Sequence, residues 1–183
     1  MSKEDYVITN MVASVNLGID LDLYELTSQM KNIEYEPEQF PGAIMKLSNP
    51  KATILVFKNG KIVIVGCRDK KTIEAVIKEV YKRLLKFGKV KEKYDVKHPK
   101  YMLTNMVASS DLHMDLDLFS LAFQLEDIEY EPEQFPGAII RLRNPDASLL
   151  LFKNGKIIIA GCRNRKDIEK SIKKIKEKLK QFR

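Results

Sequence analysis

Along the first 88 residues, apolar positions recur in two different periods. Tyr6 to Leu17 (YVITNMVASVNL) is rich in β-branched residues and reads as a strand. In DLDLYELTSQM the period changes: Leu21, Leu23, Leu26 and Met30 form a helical stripe behind Asp20 as N-cap. Ile33 to Glu38 reads as a short strand, Phe40-Pro41-Gly42 as a turn, Ala43 to Leu47 as a strand and Asn49-Pro50 as a turn. Thr53 to Phe57 and Lys61 to Val65 form a hairpin about Asn59-Gly60, a pair that favours a type I′ turn. From Asp69 to Phe87 the period is helical, with Ile73, Val76, Ile77, Val80, Leu84 and Leu85 on one face. The predicted order is β-α-β-β-β-β-α.

The whole pattern then occurs a second time. Tyr6 to Gly88 aligns with Tyr101 to Arg183 at a constant offset of 95 without a gap, and 48 of 83 aligned positions are identical. The longest shared block, IEYEPEQFPGAI, runs from Ile33 to Ile44 and from Ile128 to Ile139. Two copies are too few for a solenoid, so a pseudo-two-fold molecule is expected. Residues 1–88 are the first repeat and 101–183 the second. The charged, Pro99-containing stretch 89–100 is a linker.

Composition removes several classes. The formal charge is 32 − 25 = +7 and 44% of residues are hydrophobic, enough for a packed core and too much for a disordered chain. No run approaches a membrane span, and the charged start Met1-Ser2-Lys3-Glu4-Asp5 is not a signal peptide. Two cysteines, Cys67 and Cys162, exclude a disulfide scaffold and a Cys-rich zinc site. A soluble intracellular protein is expected. The two histidines, His98 and His113, do not recur between repeats, and no Walker loop, GxSxG or metal-spaced cluster is present, so no enzymatic activity and no cofactor are expected.

The hairpin strands TILVF and KIVIV, with their copies SLLLF and KIIIA, are apolar on both faces. A half-exposed strand should alternate. The helices of a repeat cover one face. The other, carrying Leu55, Phe57, Val63 and Val65 or the opposite set, is either stacked on a second sheet or second copy, or left open as a binding surface. Lys46, Arg141, Arg143, Lys58, Lys153, Lys61 and Lys156 lie at strand ends and turn tips around it. Apolar strands edged by cations suit a nucleic-acid groove, with sugars and base edges on the floor and phosphates at the walls.

The ordered set N-x-V-A-S, YEPEQFPG, A-I-x-[KR]-L, N-P, LxFKNGK and a G-C-R helix start, given twice, resembles the TATA-binding protein family over nearly the whole chain. The lack of a long N-terminal extension resembles its archaeal form. The resemblance implies an α+β saddle: one curved ten-stranded antiparallel sheet, with four helices on the convex face and the concave face in a DNA minor groove. It implies a general transcription initiation factor that binds the TATA box, bends it and nucleates the preinitiation complex. Carried over, the intercalating phenylalanines are Phe40, Phe57, Phe135 and Phe152. Asn10, Val12, Asn105 and Val107 meet the central bases, and Leu55, Leu150, Val63 and Ile158 pack on sugars and base edges. Lys46 and Arg141 meet phosphates. Members of this family are themselves a standing example of kinking by inserted side chains.

The resemblance also implies partners: transcription factor B at Glu131 and Glu133, and RNA polymerase through the promoter complex. A weak homodimer through the concave face is compatible with it. The alternative is a docking or dimerisation module without DNA binding. No membrane is involved; the implied location is the cytoplasm and nucleoid of an archaeon, or the nucleus in a eukaryote. Two departures stand out. Val65 and Ala160 replace the family's usual threonines among the base contacts, and the chain ends basic, in KSIKKIKEKLKQFR, where many archaeal relatives are acidic.

Overall fold

A computed structural model describes residues 5–182; the charged residues 1–4 and Arg183 of the basic tail lie outside the described residues. The chain divides into two compact units, Asn10–Thr104 and Met1–Thr9 with Asn105–Arg183.

The unit Asn10–Thr104 contains most of β1 (Tyr6–Asn16), then β2 (Ile19–Leu21), α1 (Leu23–Gln29), β3 (Ile33–Glu34), β4 (Ala43–Ser48), β5 (Lys51–Val56), β6 (Lys61–Cys67), α2 (Lys70–Leu84) and β7 (Gly88–Val90). Its main sheet has the order β3-β4-β5-β6-β1, antiparallel throughout. The other unit contains most of β8 (Met102–Asp111), then α3 (Leu118–Gln124), β9 (Ile128–Glu129), β10 (Ala138–Leu142), β11 (Ala147–Leu151), β12 (Lys156–Cys162) and α4 (Arg165–Leu179). Its order is β9-β10-β11-β12-β8, again antiparallel. Each unit also holds the opening residues of the other repeat's first strand. Thr104 Oγ1 donates to the Val12 carbonyl at 3.4 Å, and Thr9 Oγ1 to that of Val107 at 3.2 Å. The α+β class, the ten main-sheet strands and the four helices are those expected. The two-stranded sheet of β2 and β7 is an addition.

One face of each sheet is core. Met11, Ala13, Met45, Ile54, Ile62 and Ile64 are fully buried, with Ile73, Ile77 and Leu84 of α2 and Leu26 of α1. Met106, Ala108, Ile140, Leu149, Ile157 and Ile159 are their counterparts, with Ile168, Ile175 and Leu179 of α4 and Leu118 of α3. Burying such side chains contributes about 1.5–3 kcal/mol each before entropy is counted.

The local chemistry shifts several boundaries. Asp20 does not cap the first helix, because it pairs with Lys89 in the small sheet. The cap is Asp22, whose Oδ1 accepts from the Tyr24 and Glu25 amides at 3.0 and 3.1 Å. The strand expected over 33–38 stops at Glu34, since the Glu36 carbonyl closes a turn by accepting from Gln39 and Phe40. The second helix ends at Leu84, capped at its start by Asp69 as a residue one step outside it.

The Asn59-Gly60 turn is not type I′, which needs positive φ at both positions. Gly60 has φ +81° while Asn59 is not left-handed. The Gly60 amide donates to Phe57 O at 3.0 Å and the Phe57 amide to Lys61 O at 2.9 Å, a type I turn closed by a glycine bulge. The reason lies in segment 17–21, which wraps the turn through Leu17 N to Gly60 O and Leu21 N to Lys58 O. A Cβ on Gly60 would stand 2.3 Å from the Ile19 carbonyl oxygen. Gly60→Ala should therefore destabilise the protein by more than about 1 kcal/mol, combining left-handed strain with a backbone clash. Guanidinium unfolding measures this, and an unchanged midpoint would contradict the packing described.

Candidate nucleic-acid interface

The face opposite the helices is where the unabsorbed residues of the hairpin pattern come together. In the unit Asn10–Thr104, cross-strand pairing places Glu34, Ile44, Leu55, Val63 and Ser14 in one row. Lys46, Thr53 and Val65 form the next. The aliphatic members are half-buried, unlike their fully buried neighbours in sequence. Phe40 and Phe57 meet edge to face, centroids 5.7 Å apart at 65°. Both rings rest over Gly42, where a Cβ would approach Phe40 Cε1 to 2.8 Å and Phe57 Cε1 to 3.1 Å. Lys61 opens β6 on the parity of Val63 and Val65, and Lys58 is exposed in the turn.

The second unit repeats the arrangement. Glu129, Ile139, Leu150, Ile158 and Ser109 share a row, and Arg141, Ser148 and Ala160 share the next. Phe135 and Phe152 stand 5.9 Å apart at 64°, over Gly137. Phe152, Ile158, Val7 and Ser109 line a hollow of about 930 Å³ edged by Lys153 and Lys156. Arg143 is exposed in the β10–β11 turn, where its carbonyl accepts from Lys174 Nζ at 2.8 Å.

The asparagines carry the sharpest geometry. Between Met11↔Cys67 and Ala13↔Ile64, β1 advances two residues while β6 advances three, so β6 bulges at Gly66, whose φ is +97°. Asn10 Oδ1 accepts from the Gly66 amide at 2.8 Å. In β12 the bulge falls at Gly161, φ +90°, and Asn105 Oδ1 accepts from its amide at 2.8 Å. An amide nitrogen facing a backbone N–H would place donor against donor, so this contact fixes which end of each side chain is oxygen. Each half-buried asparagine keeps its oxygen on the bulge and offers two N–H donors. Val12 and Val107 follow on the same side.

Of the predicted residues, Asn10, Val12, Phe40, Lys46, Leu55, Phe57, Lys61, Val63 and Val65 share one face in the first unit. Asn105, Val107, Phe135, Arg141, Leu150, Phe152, Lys156, Ile158 and Ala160 share one in the second. Glu131 and Glu133 are exposed in the segment after β9. Sequence reasoning missed Ile44, Ile139, Thr53, Ser14 and Ser109. A period of two read outward from Leu55 and Leu150 identifies the two isoleucines. Val7 and Met102, 63% and 64% exposed at equivalent positions, carry no such signal.

The face offers apolar contact, directed donors and a cationic edge. No group of metal-ligating side chains occurs among the described residues. Cys67 and Cys162 are buried on the core side, and burial pushes both thiols above their ordinary range, which keeps them protonated near neutral pH. No described helix is long and apolar enough to cross a membrane.

The family model described as "Transcription factor TFIID (or TATA-binding protein, TBP)" matches residues 5–87 and again 100–182. The TATA-box-binding protein of Sulfolobus acidocaldarius is 42% identical over 172 residues, 94% of this chain and 85% of the relative. That of Methanocaldococcus jannaschii is 39% identical over 175 residues, covering 95% and 93%. The solved structure titled "Methanococcus jannaschii TBP" superposes with a TM-score of 0.85 at 37% identity, over 97% of this chain and 99% of that one.

Because Gly42 and Gly137 seat the phenylalanine pairs, Gly42→Ala should separate Phe40 from Phe57 while the β4–β6 amide pattern persists. Nuclear Overhauser contacts between the two rings would be lost. Their survival would show that the glycine does not set ring position.

Proposed function

Since the chain belongs to the TATA-binding protein family, we propose that its two open sheet faces bind the minor groove of A·T-rich duplex DNA, the TATA box. In this reading it serves as a general initiation factor that bends its site and nucleates a promoter complex. The observation that carries this is the asparagine clamp. The minor groove presents only acceptors at A·T pairs, adenine N3 and thymine O2, while G·C adds the guanine amino donor. Asn10 and Asn105 have their oxygens occupied by Gly66 and Gly161, so what they present are donors. Val12, Val107, Val65 and Ala160 offer a guanine amino group nothing to bond, so discrimination works partly by exclusion.

The remaining parts fit the same ligand. Phe40 with Phe57, and Phe135 with Phe152, are preassembled wedges that unstack base steps, and pyrimidine–purine steps such as TA deform most easily. Leu55, Val63, Leu150 and Ile158 lie against sugars. Lys46, Lys58, Lys61, Arg141, Arg143, Lys153 and Lys156 neutralise phosphates, which makes affinity fall with salt. With Val65 and Ala160 in place of threonines, apolar contact and DNA shape set the central preference. The function is binding, without catalysis or cofactor. The functional repeats are 1–88 and 101–183, joined by 89–100. Glu131 and Glu133 meet transcription factor B, through which RNA polymerase joins. The protein works in the cytoplasm beside the nucleoid, and a weak homodimer through the open face competes with DNA.

Donor–acceptor fluorescence across a labelled TATA duplex tests the reading. End-to-end shortening on the TATA duplex, absent from one with central G·C pairs, is expected. Asn10→Asp keeps an acceptor for the Gly66 amide but loses both donors and adds repulsion. It should fold normally and weaken binding about ten-fold or more, since an unpaired buried acceptor costs about 1–3 kcal/mol. Stable dimers that ignore both duplexes would favour the docking reading instead. Glu133→Arg should leave duplex shortening intact and abolish ternary assembly with transcription factor B; intact assembly would remove this glutamate from the interface.

A further inference from the structure

Helix α4 presents a face that neither its own sheet nor the minor-groove reading uses. Ile168, Ile172, Ile175 and Leu179 are buried and seat the helix on the core side of the sheet. Its exposed side therefore points away from the open face of the same unit. Every exposed residue of α4 is charged. Lys166, Lys170, Lys173 and, just past the helix, Lys180 keep to helical spacing along one stripe about 21 Å long, which Glu177 interrupts and Glu169 flanks. These four lysines make no ion pair or hydrogen bond among the described residues. Their neighbours are engaged: Lys176 with Asp5 at 3.5 Å, Lys178 with Asp127, and Lys174 with the Arg143 carbonyl at 2.8 Å.

Helix α2 is an internal comparison. Residues 164–180 hold eight Lys and Arg against three Asp and Glu, and the aligned residues 69–85 hold five against three. Where the second copy has Lys170, Lys174 and Lys180, the first has Ala75, Glu79 and Leu85. Leu85 is 40% exposed, and Glu79 holds Arg83 at 2.7 Å. The surface of α2 is thus mixed, whereas that of α4 is wholly ionic and cationic on balance. A helix lying on a membrane needs exposed apolar side chains, and a protein hot spot needs an aromatic or aliphatic anchor; the exposed residues of α4 include neither. Single strands are held by stacking on exposed aromatic rings, which α4 also lacks. A straight row of unpaired lysines suits a stiff ligand with closely spaced phosphates. Duplex DNA carries one charge per about 1.7 Å of axis, or about twelve along the stripe.

We propose that the outer face of α4 is a second binding site for duplex DNA, independent of sequence, so that the chain holds two duplex segments at once. Lysines on phosphates position a duplex without reading its bases, which is why this site has no sequence preference. It shares no residue with the open sheet faces. The site itself rests on the α4 surface alone; the simultaneous holding of two segments rests also on the minor-groove reading.

The test uses the full chain saturated with unlabelled TATA duplex. A labelled duplex of G·C pairs only is then added and followed by fluorescence anisotropy. The labelled duplex should bind, with log affinity falling against log salt at a slope set by about four phosphates. A variant combining Lys166→Gln, Lys170→Ala and Lys173→Gln should weaken this binding ten-fold or more and lessen the slope by about three. Its melting temperature and its shortening of the TATA duplex should match the wild type. A variant combining Lys71→Gln, Lys78→Gln and Lys82→Gln removes the same charge from exposed positions of α2 and should weaken the binding less than three-fold. No binding by the wild type, equal losses in the two variants, or tighter binding of a labelled single strand of the same length would overturn the proposal. Failure of the minor-groove reading appears instead as absent duplex shortening, and the two variants then still separate α4 from α2.

Discussion

A β-strand must point alternate side chains to opposite faces, and in this chain both sets are apolar while helices cover only one. Everything else follows from that imbalance. Ile54 and Ile64 disappear beneath α2, whereas Leu55 and Val63, one residue away, remain half-open. Such an apolar surface is tolerated in water only if it stays small, is shielded by charge, or has a ligand of matching shape. Here it is edged by lysines and arginines and interrupted by asparagine and serine, which makes it a poor core and a good partner for a polyanion with an apolar floor.

The orientation of the two asparagines comes from a defect in the pairing. A regular β1–β6 ladder would bond the Gly66 amide to its neighbour and leave Asn10 free to rotate. The bulge turns that amide toward Asn10, and the hydrogen bond orients the side chain before any ligand arrives. The same device recurs at Gly161 and Asn105. Glycine suits both bulges because φ near +90° is costly for other residues. A donor fixed in this way gives up little freedom on binding, which is where preorganised contacts gain affinity.

The repeat made most of the fold legible, since the elements read in the first copy recur without a gap in the second. The two long helices and the hairpins were plain from their periods. What the sequence did not reveal arose from contacts distant along the chain. Asp20 has the chemistry of a cap but is drawn into pairing with Lys89, so Asp22 takes the role. Asn59-Gly60 has the composition of a type I′ turn, but Ile19 packed on the glycine selects another. The bulges at Gly66 and Gly161 were invisible because nothing local distinguishes a strand glycine that bulges from one that does not. Individual site residues came from the resemblance. Residue pattern alone left open which hairpin face was exposed, and the burial of Ile54 against Leu55 decides it.

The distribution of change between the repeats carries a last argument. Asn10, Val12, Phe40, Leu55 and Phe57 are unchanged in the second copy, and Lys46 becomes Arg141, another cation. A duplex minor groove offers nearly the same acceptors to either half of a two-fold reader, because adenine N3 and thymine O2 look alike from there. Two near-identical faces are therefore what such a ligand selects, and by themselves they carry little information about direction. The outer surfaces of α1 and α3 have diverged at Ser28 against Phe123 and Lys31 against Glu126. The two copies thus agree over most of their open sheet faces and differ around the outer ends of α1 and α3.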